Sequence, residues 1–187
     1  ERQAKRLSPV QIETFRGRVT AYQRAQQGPS LPDREAEESI AEPATLLLQM
    51  LYAVADPAKP ASGDDADRHL AARVASRYEE AHGVLDGPLR KIVERLGFED
   101  LYLIDHRSGR IVFGIERDAD LGTSLLTGPY RDTNLARAFR AARQAKDSSA
   151  VTLADFELYA PSRGEPNAFM AAPIFAAAEP PLLAGAI

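Results

Sequence analysis

Histidines and clustered carboxylates are where this sequence of 187 residues, which has no cysteine, could keep acid–base or metal chemistry. His69 and His82 stand thirteen residues apart on one helical stretch, and His106 falls in a hairpin turn. That spacing does not bring ligands together around a metal. The acidic runs "DREAEES" and "GDDAD" lie in polar breaks, where charge is solvated. No carboxylate pair can be placed across a cleft for general acid–base work. No serine sits in a nucleophile elbow, and "SRGEP" and "RSGR" read as turns. "GTSLLTG" lacks the lysine and the spacing of a phosphate loop. Without cysteine there is no disulfide framework, thiolate metal site or cysteine nucleophile. The expectation is a chain that is not an enzyme and carries no metal and no cofactor. His82, four residues after Tyr78, is expected to pack or to hydrogen-bond on a shared helix face.

Bulk properties narrow the remaining classes. The formal net charge is −4, and no run or face is strongly basic, so nucleic acid is not an expected partner. No apolar run approaches the roughly 20 residues that span a bilayer. No signal peptide is present. The sequence starts at Glu1 and stops in the apolar "PPLLAGAI", and so reads as a piece of something longer.

The elements that must position any site fall into two regions, 1–97 and 98–187. In the first, Ile12, Phe15, Val19 and Tyr22 form a narrow apolar stripe on a helix that Ser8 and Pro9 can start. The stripe fits either packing on its own domain or pairing with a second copy, through residues 8–24. A polar break, Gly28 to Ser39, precedes a second helix, Pro43 to Val54. After a loop, a long helix begins near Asp67. Gly83 and Gly87–Pro88 allow a kink or a division into two helices. Gly97 suits its C-cap.

In the second region the period changes. "LYLID" and "RIVFGI" are strands around the turn "HRSG", with Gly109 near the left-handed region. A long connection follows, then a short helix capped by Asn134. "AVTLADFELYA", "AFMAAPIF" and "PLLAGAI" supply three further strands. Helices followed by five strands predict an α+β fold, an antiparallel sheet packed on the N-terminal helical region.

The stretch "GFEDLYLID…GRIVFGI", the segment "DADLGTSLLTGPYRDTNLARAFRAA" and "ADFELYAPSRGEPNAFMAAPIF" together resemble bacterial extracytoplasmic sensor domains with the PAS-like sheet called Cache or PDC. The resemblance covers roughly residues 40–187, and "DLGTSLLTGPY" is its most distinctive part. It implies a five-stranded PAS-like sheet, with both regions forming one sensor domain. It also implies a periplasmic place between two transmembrane helices that lie outside this sequence. The output would be a chemoreceptor, histidine kinase or nucleotide cyclase. A small molecule would bind over the sheet face covered by the connection, and a homodimer would form through the N-terminal helix. On that face the sequence offers Thr123, Tyr130 and Arg131 from the connection, Tyr102 from the first strand, and Asp155, Tyr159 and Phe169 from later strands. Arg131 would suit the carboxylate of an organic anion, held bidentately. The alternative is a structural, protein-interaction or dimerisation domain of the receptor with no small-molecule ligand. A weaker alternative is a cytosolic PAS-like regulatory domain.

Overall fold

The computed structural model describes residues 8–27, 40, 42–54, 77–176 and 182–186. The polar break at 28–39, the loop at 55–66 and the expected start of the long helix near Asp67 lie outside them.

Helix α1 spans Pro9–Gln27. Ser8 starts it through a reciprocal cap: the Gln11 N–H donates to Ser8 Oγ at 3.3 Å, and the Ser8 N–H donates to Gln11 Oε1 at 2.9 Å. Helix α2, Pro43–Gln49, begins on a proline and runs on through a π-helical turn, Met50–Val54. The apolar stripe of α1 is used inside the chain. Phe15, Val19 and Tyr22 are buried against Ile40, Leu46, Leu47 and Met50, with Ile12 at the margin. This is the first of the two arrangements that the spacing allowed.

Helix α3 is one element, Arg77–Leu96, with Pro88 inside it. It ends as the glycine predicts. Gly97 has φ +71°, and the Phe98 N–H donates back to the Val93 carbonyl at 3.1 Å. Its Val93 and Leu89 pack on Leu101, Leu103, Phe113 and Ile115. Strands β1 (Tyr102–Asp105) and β2 (Ile111–Gly114) form the expected hairpin. Gly109 in its turn has φ +66°, and a Cβ there would stand 2.6 Å from Leu126 Cγ. The two faces of β1 divide as alternation requires. Leu101 and Leu103 meet α3, whereas Tyr102 and Ile104 enter the main core.

The connection from 116 to 133 then folds back along β2. Ile111 exchanges hydrogen bonds with it: its N–H donates to the Thr123 carbonyl at 3.0 Å, and its carbonyl accepts the Gly122 N–H at 2.8 Å. Helix α4 spans Asn134–Gln144. Its cap is Thr133, one residue earlier than expected: Thr133 Oγ1 accepts the Ala136 N–H at 3.3 Å. Asn134 instead ties the helix to the next strand, its Nδ2 donating to the Asp155 carbonyl at 2.8 Å. Leu135, Ala136, Ala138, Phe139 and Ala142 form the buried face of α4, which packs on the strands.

Those strands are β3 (Thr152–Tyr159), β4 (Glu165–Ala171), β5 (Pro173–Ala176) and β6 (Leu182–Ala186). All pairing is antiparallel, so the chain is α+β. The expected single five-stranded sheet is corrected. Among the described residues six strands form a four-stranded sheet, ordered β2-β1-β6-β5, and a separate β3-β4 ladder. The reason lies in "AFMAAPIF", expected as one strand. It divides at Ala172, just before Pro173, which has no N–H to give a ladder. No helix among the described residues is long and apolar enough to cross a membrane.

Candidate functional site

The space between the sheet and α4 is filled mainly by aromatic side chains, and the carboxyl of Asp120 lies among them. Tyr159 is fully buried, with Phe169 5.0 Å away edge-on and Tyr130 6.0 Å away between ring centroids. The Tyr159 hydroxyl donates to Asp120 Oδ2 at 2.7 Å. Asp120 is also fully buried, and its other oxygen, Oδ1, has no hydrogen-bond partner. Burial pushes its carboxyl up to about 7, and the neighbouring Asp118 and Asp100 add to the rise, while the Tyr159 hydroxyl opposes it. The Tyr159 phenol is raised by burial and by the Asp120 charge, so it stays a donor.

The backbone around Asp120 is held from the helical region. Gln49 of α2 donates through Nε2 to the carbonyls of Ala119 (2.8 Å) and Leu121 (3.0 Å), the two residues flanking Asp120. Gln49 Oε1 in turn accepts from Gln23 Nε2 of α1 at 2.7 Å. Thr45 Oγ1 donates to the Gly122 carbonyl at 2.7 Å. Arg110 reaches the same carbonyl at 2.6 Å and also pairs with Thr45 and Glu42. Gly122 has φ +81°, and a Cβ there would meet Thr45 Cα at 3.1 Å, so the approach of α2 requires glycine.

A second feature opens beside the cluster. A cavity of about 370 Å³ lies between the start of β1 and β4. Asp100, Leu101 and Tyr102 line one side, and Phe169, Met170 and Ala172 the other. Asp100 Oδ1 accepts the N–H groups of Leu101 (2.6 Å), Ile115 (2.8 Å) and Glu116 (3.2 Å). Burial still pushes its carboxyl up to about 6. The charged residues lining this cavity, Glu99 and Asp100, are both acidic. Among the described residues no group of three histidines or carboxylates is placed to hold a metal ion.

Of the residues singled out in the sequence, five meet here. Tyr102, Tyr130, Tyr159 and Phe169 belong to one buried cluster. Thr123 is buried beside it, its hydroxyl donating to the Asp120 carbonyl at 2.6 Å. Arg131 and Asp155 do not join them. Arg131 is half exposed and lies 3.5 Å from Asp132, because its position after the buried Tyr130 turns it outward. Asp155 is exposed, and its Oδ1 accepts the Phe156 N–H at 2.8 Å. It sits in the irregularity where the β3–β4 register shifts between Ala154 and Glu157, which takes it off the core face. His82 is buried between Tyr52 and Phe113, its ring 5.2 Å and 4.7 Å from theirs, as packing predicts.

Asp120, Asp100, Gln49 and Gln23 were not singled out. Asp120 stands in "RDADLG", one of several aspartates in a polar segment, and only its partner Tyr159, 39 residues on, sets it apart. No protein-family model, curated protein or solved structure matches the chain.

Proposed function

We propose that the chain is a PAS-like sensor module of a bacterial transmembrane receptor, of the Cache or PDC kind, placed outside the inner membrane. A small molecule binds over the sheet at the Asp120–Tyr159 cluster and biases the module between two conformations. The neighbour order supports the sheet type. With β4 and β5 counted as one strand bent at Ala172, the order is β2-β1-β6-β5/β4-β3, with the last strand in the middle.

The observation that carries the ligand site is the buried Asp120 carboxylate with one oxygen unanswered. Such a group is costly to keep, and a perturbed carboxyl set among aromatic rings is a common mark of a binding site. Its sign also revises the expected ligand. With Arg131 turned out and acidic groups at Asp120 and Asp100, an organic anion is disfavoured, and a molecule that brings a cation or hydrogen-bond donor is favoured.

The test is calorimetric titration of the chain with a panel of amines, amino acids and organic acids, repeated on Asp120→Asn. Amine or amino-acid binding that weakens tenfold or more in the variant supports the reading. Binding confined to organic acids, or unchanged in the variant, refutes the site.

One observation favours a second reading. Tyr130, Tyr159 and Phe169 pack the expected site closely. That is what an interaction or dimerisation module with no small-molecule ligand would have. An empty panel together with self-association of the chain in sedimentation would favour it.

A further inference from the structure

The cavity between β1 and β4 follows the geometry of the sheet. Strand β6 runs antiparallel to both neighbours, and Ala186 pairs with Ile104 on one side and Pro173 on the other. Each step onward along β6 is therefore a step back along β1 and along β4–β5. Two residues beyond Ala186, a strand in this register faces Tyr102 and Ala171. Four residues beyond, it faces Asp100 and Phe169. Those two flanks are the walls of the cavity. Where β6 lies, β1 and β5 stand two strand spacings apart, about 9.6 Å. The cavity prolongs that one-strand-wide gap.

The walls have the chemistry of a central strand's surroundings. Tyr102, Leu135 and Phe169 belong to the core under α4, while Leu153 (71% exposed) and Met170 (52% exposed) lie on the opposite side of the β3–β4 ladder. Flanking strands also turn ladder N–H and C=O groups toward the gap, which an extended backbone can answer along its whole length.

We propose that this cavity is the seat of a β-strand in the register of β6, its residues facing first Tyr102 and Ala171 and then Asp100 and Phe169. Filling it joins the β2-β1-β6-β5 sheet and the β3-β4 ladder into one continuous sheet. One face of the occupant meets the core under α4 and the other lies beside the exposed apolar side chains of Leu153 and Met170, so apolar residues suit both faces. The inference rests on register and cavity and not on a ligand at Asp120, and the sheet it completes is the one the sensor reading expects. A ligand at Asp120 would lie on the α4 face of the completed sheet.

The experiment compares the 187-residue chain with two lengthened forms, one extended after Ile187 by Val-Ile-Val-Ser and one by Gly-Ser-Gly-Ser. The readout is amide hydrogen exchange at Tyr102 and Phe169–Ala171. The apolar extension is expected to slow exchange there at least tenfold, with the Gly-Ser form unchanged from the parent. Equal exchange in the two forms, or protection that grows with protein concentration and so marks pairing between copies, overturns the proposal. Register gives an independent check, since the chain has no cysteine of its own. In Ala171→Cys, a disulfide is expected with a cysteine at the first added residue and not at the second, whose side chain points to the other face. Bridging at the second, equally at both, or at neither overturns it.

Discussion

Substituting Asp120→Asn tests whether the buried carboxylate shapes the stability of the chain. Asp120 titrates near 7 in the folded chain, against 3.8 for an unperturbed aspartate. Between those values the folded state binds more protons than the unfolded state, so stability is fully present at low pH and falls as pH rises toward 7. The whole gap corresponds to about 4 kcal/mol at roughly 1.4 kcal/mol per pH unit. The part that lies between pH 5 and pH 8 is roughly 3 kcal/mol. For a chain of this size that is a fall in Tm of about 5–10 °C. Asp100, raised to about 6, adds a smaller fall of the same sign, ending at lower pH. The groups facing Asp120 are Asp118, Asp100, Tyr159 and Tyr102. Both tyrosines are pushed above their ordinary range and stay protonated throughout. Asparagine keeps an acceptor for the Tyr159 hydroxyl but cannot ionise. Thermal unfolding at pH 5, 6, 7 and 8 should therefore give a steep fall for the parent and a shallower one for the variant, at least 5 °C smaller across the range. The variant should be the less stable at pH 5, where its amide N–H groups lack partners, and should gain relative to the parent by pH 8. Parallel Tm–pH curves would refute the reasoning.

Tyr159→Phe removes the donor that opposes the rise at Asp120, so the carboxyl should titrate higher still; the loss of stability should be about 1–3 kcal/mol and larger at pH 8 than at pH 5, read by urea unfolding. Gln49→Leu leaves the buried carbonyls of Ala119 and Leu121 without their donor and strands Gln23 Nε2 from Gln49, for a loss of about 2–4 kcal/mol. Gly122→Ala forces a Cβ to 3.1 Å from Thr45 Cα at φ +81°, and should lower stability by about 1–3 kcal/mol, whereas Gly87→Ala, which meets nothing within 4 Å, should be neutral or stabilising.

What could be read from the sequence was what depends on near neighbours. The Ser8 cap, the Gly97 helix end and the Gly109 turn each follow from a few adjacent residues. The faces of β1 follow from alternation alone. What escaped depends on partners far along the chain. "AFMAAPIF" reads as one strand by hydrophobicity, and only the pairing of its first half with β3 and its second with β6 divides it at Ala172. Tyr130, Tyr159 and Phe169 were expected as pocket residues and lie together in the core, whereas Phe156, a ring in the same strand as Tyr159, is exposed, so ring type alone does not decide burial. Arg131 and Asp155 lie at the surface, away from the cluster; a charge can serve a pocket or the surface, and local pattern does not decide between them. Gln49 and Gln23 look like ordinary polar helix residues. Their burial follows from the approach of α1 and α2 to the connection, which no window of sequence contains.

These two glutamines bear on how a site at Asp120 could act at a distance. A sensor needs an element that differs between its states and is touched by the ligand site. Gln23 of α1, Gln49 of α2 and the carbonyls on either side of Asp120 form a hydrogen-bonded chain from the N-terminal helix to the buried carboxylate. Each link is short, buried and directional. A change in charge or occupancy at Asp120 that shifts residues 119–121 must therefore either move α2 and α1 with it or break hydrogen bonds whose groups have no water to turn to. On the sensor reading that cost makes α1 the element that follows the site. Gln49→Leu would then leave ligand affinity at Asp120 nearly unchanged while abolishing any ligand-dependent change in the exchange of α1 amides, a separation that loss of stability alone would not produce.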